Sequence, residues 1–99
     1  HAVARLIGAR RTAVVPRGGA FARPSLEDLA APVLLACLAD AGIAPDRVDE
    51  VILSNALGAG GNPARRVLLA AGLPETVAGL TTDRQCAGGL DAILLARAL

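Results

Sequence analysis

Cys86 is the side chain whose surroundings best fit covalent chemistry. It stands in the segment TDRQCAGGL, where a predicted strand ends and a predicted helix begins. The sulfur would then lie at or just inside the helix N-terminus, where unpaired N–H groups and the helix dipole favour a thiolate. A thiolate at neutral pH is what a nucleophilic cysteine needs. The segment therefore makes Cys86 a candidate nucleophile.

The neighbours of Cys86 favour the same chemistry. Ala87, Gly88 and Gly89 are small, so the acyl group of a substrate could approach the backbone. The N–H of Cys86 could help to hold the oxyanion of a thioester, and Arg84 would add positive potential. The alternative is a structural cysteine at a strand–helix junction, and position alone does not decide between the two.

Other residue types exclude several chemistries. The chain has no Lys, which excludes a Walker-type phosphate loop and Schiff-base chemistry on lysine. The one His is His1, at a terminus that is expected to fray, so a Ser–His or Cys–His pair within these residues is not expected. Two cysteines and one terminal His do not make a four-ligand zinc site, and no metal site is predicted.

Composition bounds the class of protein. Ninety-nine residues are one domain at most, or a piece of a larger one, and 54% hydrophobic residues argue against disorder. A net charge of +1 is too balanced for a nucleic-acid or anionic-membrane binder. No apolar run approaches the roughly 18 residues of a membrane span, and arginines interrupt any signal-peptide core. Low cysteine content and the lack of a signal-peptide core predict a cytoplasmic protein. The charge balance and the lack of an apolar span predict neither nucleic-acid nor membrane partners.

The elements that must position Cys86 are predicted in the order β-α-β-α-β-α. Apolar strand-like runs alternate with helical patterns, which is typical of an α/β fold with a mostly parallel sheet and helices on both faces. The predicted strands cover residues 2–9, 51–53 and 77–82, and the predicted helices cover residues 25–41, 64–71 and 86–99.

The first helix carries clear boundary signals. Residues 25–28, SLED, fit a capping box, and Gly42 fits a left-handed C-cap. Pro32 should kink this helix or separate its first turn. Cys37 falls on the apolar stripe, where a small buried hydrophobe is the expected role.

Two loops allow more than one interpretation. Residues 10–24 carry four Arg and no acid, and are either a functional loop or a solvated one whose arginines meet acids elsewhere. Residues 57–62 are glycine-rich but lack the third Gly of a dinucleotide fingerprint, which favours a tight strand-to-helix turn. Asn62 fits the N-cap of the following helix, and Pro63 fits its first position.

Several motifs in order resemble the thiolases, the acyl-CoA C-acetyltransferases. DRQCAGGLDA, at residues 83–92, resembles their nucleophile motif N-[RK]-[QV]-C-[SGA]-[SG]-G-L-x-A. Residues 11–19 resemble their opening R-T-P-x-G-x-x-G-G loop, and residues 61–65, GNPAR, resemble their G-x-N-P-A-R. The resemblance runs from about residue 3 to the end. Ala13 stands where the family has Pro, and Asp83 replaces the commoner Asn.

The resemblance implies a function and a fold. Cys86 would be the catalytic nucleophile that becomes an acyl thioester, in thiolytic cleavage of 3-ketoacyl-CoA or in the reverse Claisen condensation. Acyl-CoA and CoA would be substrates, with no bound cofactor and no metal. The family fold stacks two α/β halves, each with a five-stranded mixed sheet, and its members are homodimers or homotetramers. Residues 1–99 would form part of the N-terminal half.

The family also uses a His and a second Cys that lie further along a longer chain. Neither His1 nor Cys37 fits these roles, so we expect the isolated 99 residues to lack thiolase turnover. The last helix reaches Leu99 without a cap, which predicts that the chain stops inside a larger fold. The alternatives are another condensing enzyme of the superfamily, similar to a ketoacyl synthase, a non-catalytic thiolase-like interaction domain, or a small α/β domain with a structural Cys86.

Overall fold

The computed structural model describes residues 3–57 and 60–99. This part of the chain forms helix α1 (Leu26–Ala41), strand β1 (Glu50–Ser54), helix α2 (Pro63–Ala70), strand β2 (Ala78–Thr82) and helix α3 (Gly88–Ala98). Two short 3-10 turns, Pro45–Arg47 and Gln85–Ala87, precede β1 and α3. Helices and strands therefore alternate, as an α/β fold requires.

β1 and β2 pair in parallel, with α2 as the crossover between them, in a register that sets Ile52 opposite Leu80. Successive side chains of a strand point to opposite faces of the sheet. Val51 packs against the cluster formed by α2 and α1, whereas Ile52 lines a cavity with Ile93 of α3. Helices therefore cover both faces, and the predicted parallel α/β arrangement is confirmed.

The core lies where α2 crosses the sheet. Ala64 and Leu68 of α2 are fully buried, and burial of a Leu side chain contributes about 1.5–3 kcal/mol. Leu68 forms one buried cluster with Leu73 and Val77, which follow α2 in the chain. The half-buried side chains that cover this cluster are Leu34, Leu38, Val48, Val51 and Ala71. Among the described residues, the βαβ unit from β1 to β2 thus holds every buried hydrophobic side chain except that of Ala31.

The predicted boundaries of α1 are confirmed. The Ser25 hydroxyl accepts the N–H of Asp28 at 3.1 Å, and the Asp28 carboxylate accepts the N–H of Ser25 at 3.1 Å. Gly42 ends the helix in the left-handed conformation, with φ 68°. Of the two outcomes expected at Pro32, a kink or a separate first turn, the separate turn is not formed, because α1 runs as one helix through Pro32. Proline removes one hydrogen bond, and the caps at both ends together with packing on α2 hold the helix in spite of that loss.

The strand predicted over residues 2–9 is not formed within residues 3–9, which are exposed and have no regular structure. Ile7 lines the same cavity as Ile52, so the segment lies beside β1. No backbone hydrogen bond joins the two within the described residues. A short apolar run becomes a strand only when a neighbour pairs with it and its faces are covered, and Leu6 is 82% exposed.

An ion pair fastens the N-terminal segment to α1. The Arg10 guanidinium donates to both carboxylate oxygens of Asp40, at 2.5 and 3.0 Å. This hydrogen bond lowers the pKa of Asp40 below its ordinary value of 3.8. Because the folded pKa is the lower one, the pair stabilises the fold above that value and loses its effect as pH falls through the folded pKa. For Arg10, the interpretation that loop arginines meet acids elsewhere is confirmed.

Candidate functional site

The segments that follow β1 and β2 meet at one edge of the sheet. The N–H of Asn55 donates to the carbonyl of Thr82 at 2.9 Å, which carries the strand pairing one residue beyond β1. In open α/β sheets, ligands bind outside the carboxyl ends of parallel strands. Cys86 lies in the turn that follows β2, at this edge.

Cys86 sits in the 3-10 turn Gln85–Ala87, and α3 begins at Gly88. The helix start predicted at Cys86 is therefore two residues early, because a 3-10 turn leads into the α-helix. Cys86 is a free, exposed cysteine, whereas Cys37 of α1 is half-buried, less deeply than predicted. An exposed thiol does not fit the alternative in which Cys86 is a buried structural residue.

The turn around Cys86 contains a strained residue. Gln85 has φ 49°, the one positive φ outside glycine among the described residues. This conformation costs about 1–3 kcal/mol for an ordinary residue and persists only where its surroundings fix it. The Asp83 carboxylate accepts the N–H of Gln85 at 3.0 Å, and the Arg84 carbonyl accepts the N–H of Ala87 at 3.1 Å. These bonds fix the backbone on both sides of Cys86.

A carboxylate of α3 ties this turn to the sheet. Asp91 Oδ2 accepts the hydroxyl of Thr82 at 3.3 Å, and Asp91 Oδ1 lies 3.3 Å from the Arg84 guanidinium. Arg84, which was expected to add positive potential at Cys86, therefore has a carboxylate partner. Sequence reasoning missed Asp91. The available signal was that Asp91 lies in the predicted helix seven residues after Arg84. Helical spacing does not pair these two residues, because Arg84 precedes the helix.

Gly88 lets α3 approach β1 closely. Gly88 is buried, and a Cβ built on it would overlap the Ser54 hydroxyl and lie 2.9 Å from the Ser54 Cβ. Gly89, the next residue, has open space at the same point. The two adjacent glycines therefore differ: Gly88 is required for packing at the end of β1, while Gly89 leaves room beside the Cys86 turn.

The GNPAR segment, residues 61–65, joins α2 to β2. The Asn62 side chain caps α2 by accepting the N–H of Arg65 at 3.3 Å, and its amide donates to the Gly79 carbonyl at 2.8 Å. The Arg65 guanidinium donates to the carbonyls of Glu75 and Val77, at 2.7 Å each. The predicted N-cap is confirmed, and the motif acts here as a structural clamp.

The tight-turn interpretation of the glycine-rich loop is confirmed at Gly61, which has φ 73°. Gly58 lies outside the described residues. Thr81 of β2 donates its hydroxyl to the Asn62 side chain and accepts the N–H of Ala64 at 3.0 Å. The loop therefore ends against the strand that leads to Cys86.

Two kinds of feature are absent from the described residues. Within residues 3–57 and 60–99, no three His, Cys, Asp or Glu side chains come together as a metal site. In the same part of the chain, no helix has the length and apolar character needed to cross a membrane.

The described residues form a parallel α/β unit. A turn containing Cys86 lies at the carboxyl edge of its sheet. The chain belongs to the thiolase family, since the family's N-terminal domain, described as "Thiolase, N-terminal domain", matches residues 4–98.

Relatives of known name support the same family. An acetyl-CoA acetyltransferase of Cupriavidus necator is 42% identical over 93 residues, covering 92% of this chain and 24% of the relative. A putative acetyl-CoA C-acetyltransferase of Bacillus subtilis is 48% identical over 95 residues, covering 95% and 25%. The chain thus spans about a quarter of the length of these curated relatives.

Solved structures share the fold. The acetyl-CoA acetyltransferase of Syntrophomonas wolfei superimposes with a TM-score of 0.83 at 29% identity, over 93% of this chain and 24% of that one. A thiolase of Ascaris suum, solved in complex with coenzyme A, gives a TM-score of 0.71 at 25% identity, over 75% and 20%.

Proposed function

We propose that the protein carrying these residues is a thiolase-type acyltransferase acting on CoA thioesters, with Cys86 as its nucleophile. The observation that supports this is an exposed thiol in a strained turn at the start of α3, in a chain of the thiolase family. Relatives named acetyl-CoA acetyltransferase support the same reaction class.

The proposed reaction has two steps. Cys86 Sγ forms a bond to the C3 carbonyl carbon of a 3-ketoacyl-CoA, the C2–C3 bond breaks, and the thiol proton ends on C2 of the departing acetyl-CoA. The thiol of a second CoA then attacks the acyl thioester, which releases the shortened acyl-CoA and returns the proton to Cys86. The reverse sequence is a Claisen condensation. Splitting one difficult step into two easier ones is the gain from covalent catalysis.

The turn offers two features that suit this chemistry. As part of the first turn before α3, Cys86 has an N–H without an intrahelical partner, which can donate to a developing oxyanion. Gly89, three residues after Cys86, has open space where a side chain would be, which suits the approach of an acyl group to this part of the backbone. We expect the acid–base His and the second Cys of the family in the remainder of the protein. The proposed enzyme works as a homo-oligomer in the cytoplasm, with no bound cofactor.

The test is to trap the acyl-enzyme. The full-length protein is mixed with acetyl-CoA, quenched in acid and digested with trypsin, and the peptide that begins at Gln85 is examined by mass spectrometry. We expect one acetyl group on Cys86, none in Cys86→Ser, and unchanged labelling of Cys86 in the matched control Cys37→Ser. Acetylation of Cys37 alone, or of neither cysteine, contradicts the proposal.

The alternatives to this proposal are another condensing enzyme of the superfamily and a non-catalytic thiolase-like domain. A match to the thiolase N-terminal domain over residues 4–98 favours a thiolase over a ketoacyl-synthase-like condensing enzyme. A non-catalytic thiolase-like domain would show no acyl-enzyme and no thiolysis of acetoacetyl-CoA in the full-length protein.

A further inference from the structure

The position of Cys86 depends on the turn and not on packing of its own side chain. Cys86 is exposed, and the preceding residue, Gln85, is held in the left-handed conformation. A residue in that conformation reverts to a relaxed one unless neighbouring groups fix it. The groups that hold this turn therefore decide where the sulfur points.

One carboxylate contacts both ends of the segment that leads to Cys86. Asp91 accepts the hydroxyl of Thr82, the last residue of β2, through one oxygen, and lies 3.3 Å from the Arg84 guanidinium through the other. The Asp91 side chain is 20% exposed, against 67% for Arg84, so the anchor is fixed on α3 and the arginine reaches to it. The strand end, the turn and the helix are joined at this single group.

We propose that Asp91 is a positioning residue for Cys86. Its carboxylate holds Thr82 and Arg84 against α3, and thereby holds the backbone of Gln85 and Cys86 in the orientation that attacks the substrate carbonyl. The activity readout of this proposal rests on the function proposed above. Misplacement of a reacting group by about 1 Å costs on the order of 100-fold in rate, so loss of the anchor should lower kcat.

The test compares two substitutions in the full-length protein. Asp91→Asn keeps the shape and an acceptor for Thr82 but removes the charge that holds Arg84, and Asp91→Ala removes both contacts. For thiolysis of acetoacetyl-CoA, we expect kcat to fall several-fold in Asp91→Asn and about tenfold or more in Asp91→Ala, with KM within about twofold of the wild-type value. A purely structural role would lower Tm and the yield of folded protein without this split between kcat and KM.

The matched control is Asp40→Asn, which breaks an Asp–Arg ion pair away from the Cys86 turn, that between Asp40 of α1 and Arg10. We expect its kcat to equal that of the wild type. If Asp91→Ala fails to fold, Asp91→Asn decides. The proposal is overturned if kcat and Tm of Asp91→Asn both equal the wild-type values. It is also overturned if only KM changes, or if kcat falls equally in Asp40→Asn. Absence of the Cys86 acyl-enzyme in the wild-type protein would instead contradict the proposed function, so the two failures are distinguishable.

Discussion

The two cysteines of this chain show how residues of one type take different roles. Cys86 follows a strained Gln85 and is exposed, while Cys37 lies on the apolar side of α1 and is half-buried. A thiol reacts only when reagent can reach it, so location alone separates the two.

Alkylation tests this difference at the scale of the residue. We expect iodoacetamide at neutral pH to modify Cys86 in the full-length protein while most of Cys37 remains unmodified, because Cys37 is shielded within the packing of α1. Peptide mapping of a time course measures both rates, and unfolding in urea should make the two rates similar. Equal inertness of the two cysteines in the folded protein would count against a nucleophilic role.

At this scale the sequence indicated Cys86 but not the groups that hold it. The motif and the small residues after it mark Cys86, because those signals are local. Asp91 and Ser54 were missed. Asp91 contacts Thr82 and Arg84, and Ser54 lies against Gly88, because of how α3 packs on the sheet, which the local sequence does not reveal.

At the scale of the element, the helix ends that carry a capping residue were predictable, whereas the start of α3 and the first strand were not. Ser25, Gly42 and Asn62 signal caps through their own side chains or backbone freedom, so their roles follow from the local sequence. Residues 2–9 have the apolar composition of a strand, but a strand needs hydrogen bonds from a neighbour, which composition does not reveal. Pro32 is a local helix breaker inside α1, yet the helix continues through it, because the caps and the packing on α2 stabilise the helix.

The approach of α3 to β1 can be tested with two adjacent glycines. Gly88→Ala places a Cβ against the Ser54 side chain, and we expect a loss of about 1–3 kcal/mol in the free energy of unfolding. Gly89→Ala meets open space within the same helix, so it should be neutral or stabilise by up to about 1 kcal/mol. Urea denaturation of the full-length protein measures both.

A second substitution makes the cause specific. Ser54→Gly removes the side chain that Gly88→Ala would strike, so the double variant should regain much of the lost stability. Equal stabilities of the Gly88 and Gly89 variants would show that the close approach of α3 to β1 is not a constraint.

At the scale of the whole molecule, these residues leave much surface uncovered. Their accessible area is 7077 Å², whereas a compact monomer of 9.9 kDa exposes about 5,200 Å². The exposed large hydrophobic side chains include Val3, Leu6, Ile7, Leu90, Ile93, Leu94 and Leu99. The N-terminal segment and α3 thus carry many of the exposed apolar side chains, and exposed apolar patches favour association.

We therefore expect the isolated 99 residues to self-associate and to bind the dye ANS, because contact with another copy removes apolar area from water. Sedimentation at several concentrations measures the association, and dye fluorescence measures the exposed surface. The full-length protein is the control and should bind less dye per mole. A strictly monomeric 99-residue chain that binds no dye would contradict the expectation.

The position of the core along the chain has an evolutionary consequence. The cluster of Leu68, Leu73 and Val77, with the side chains that cover it, lies wholly before residue 78. Cys86 and its turn come later and contribute nothing to that cluster. Substitutions from residue 83 onward can therefore alter the reactive turn while the contacts that hold α2 on the sheet are inherited unchanged. Selection on the packing of α2 therefore acts before residue 78, and selection on the Cys86 turn acts later, where Gly88 must also keep α3 close to β1.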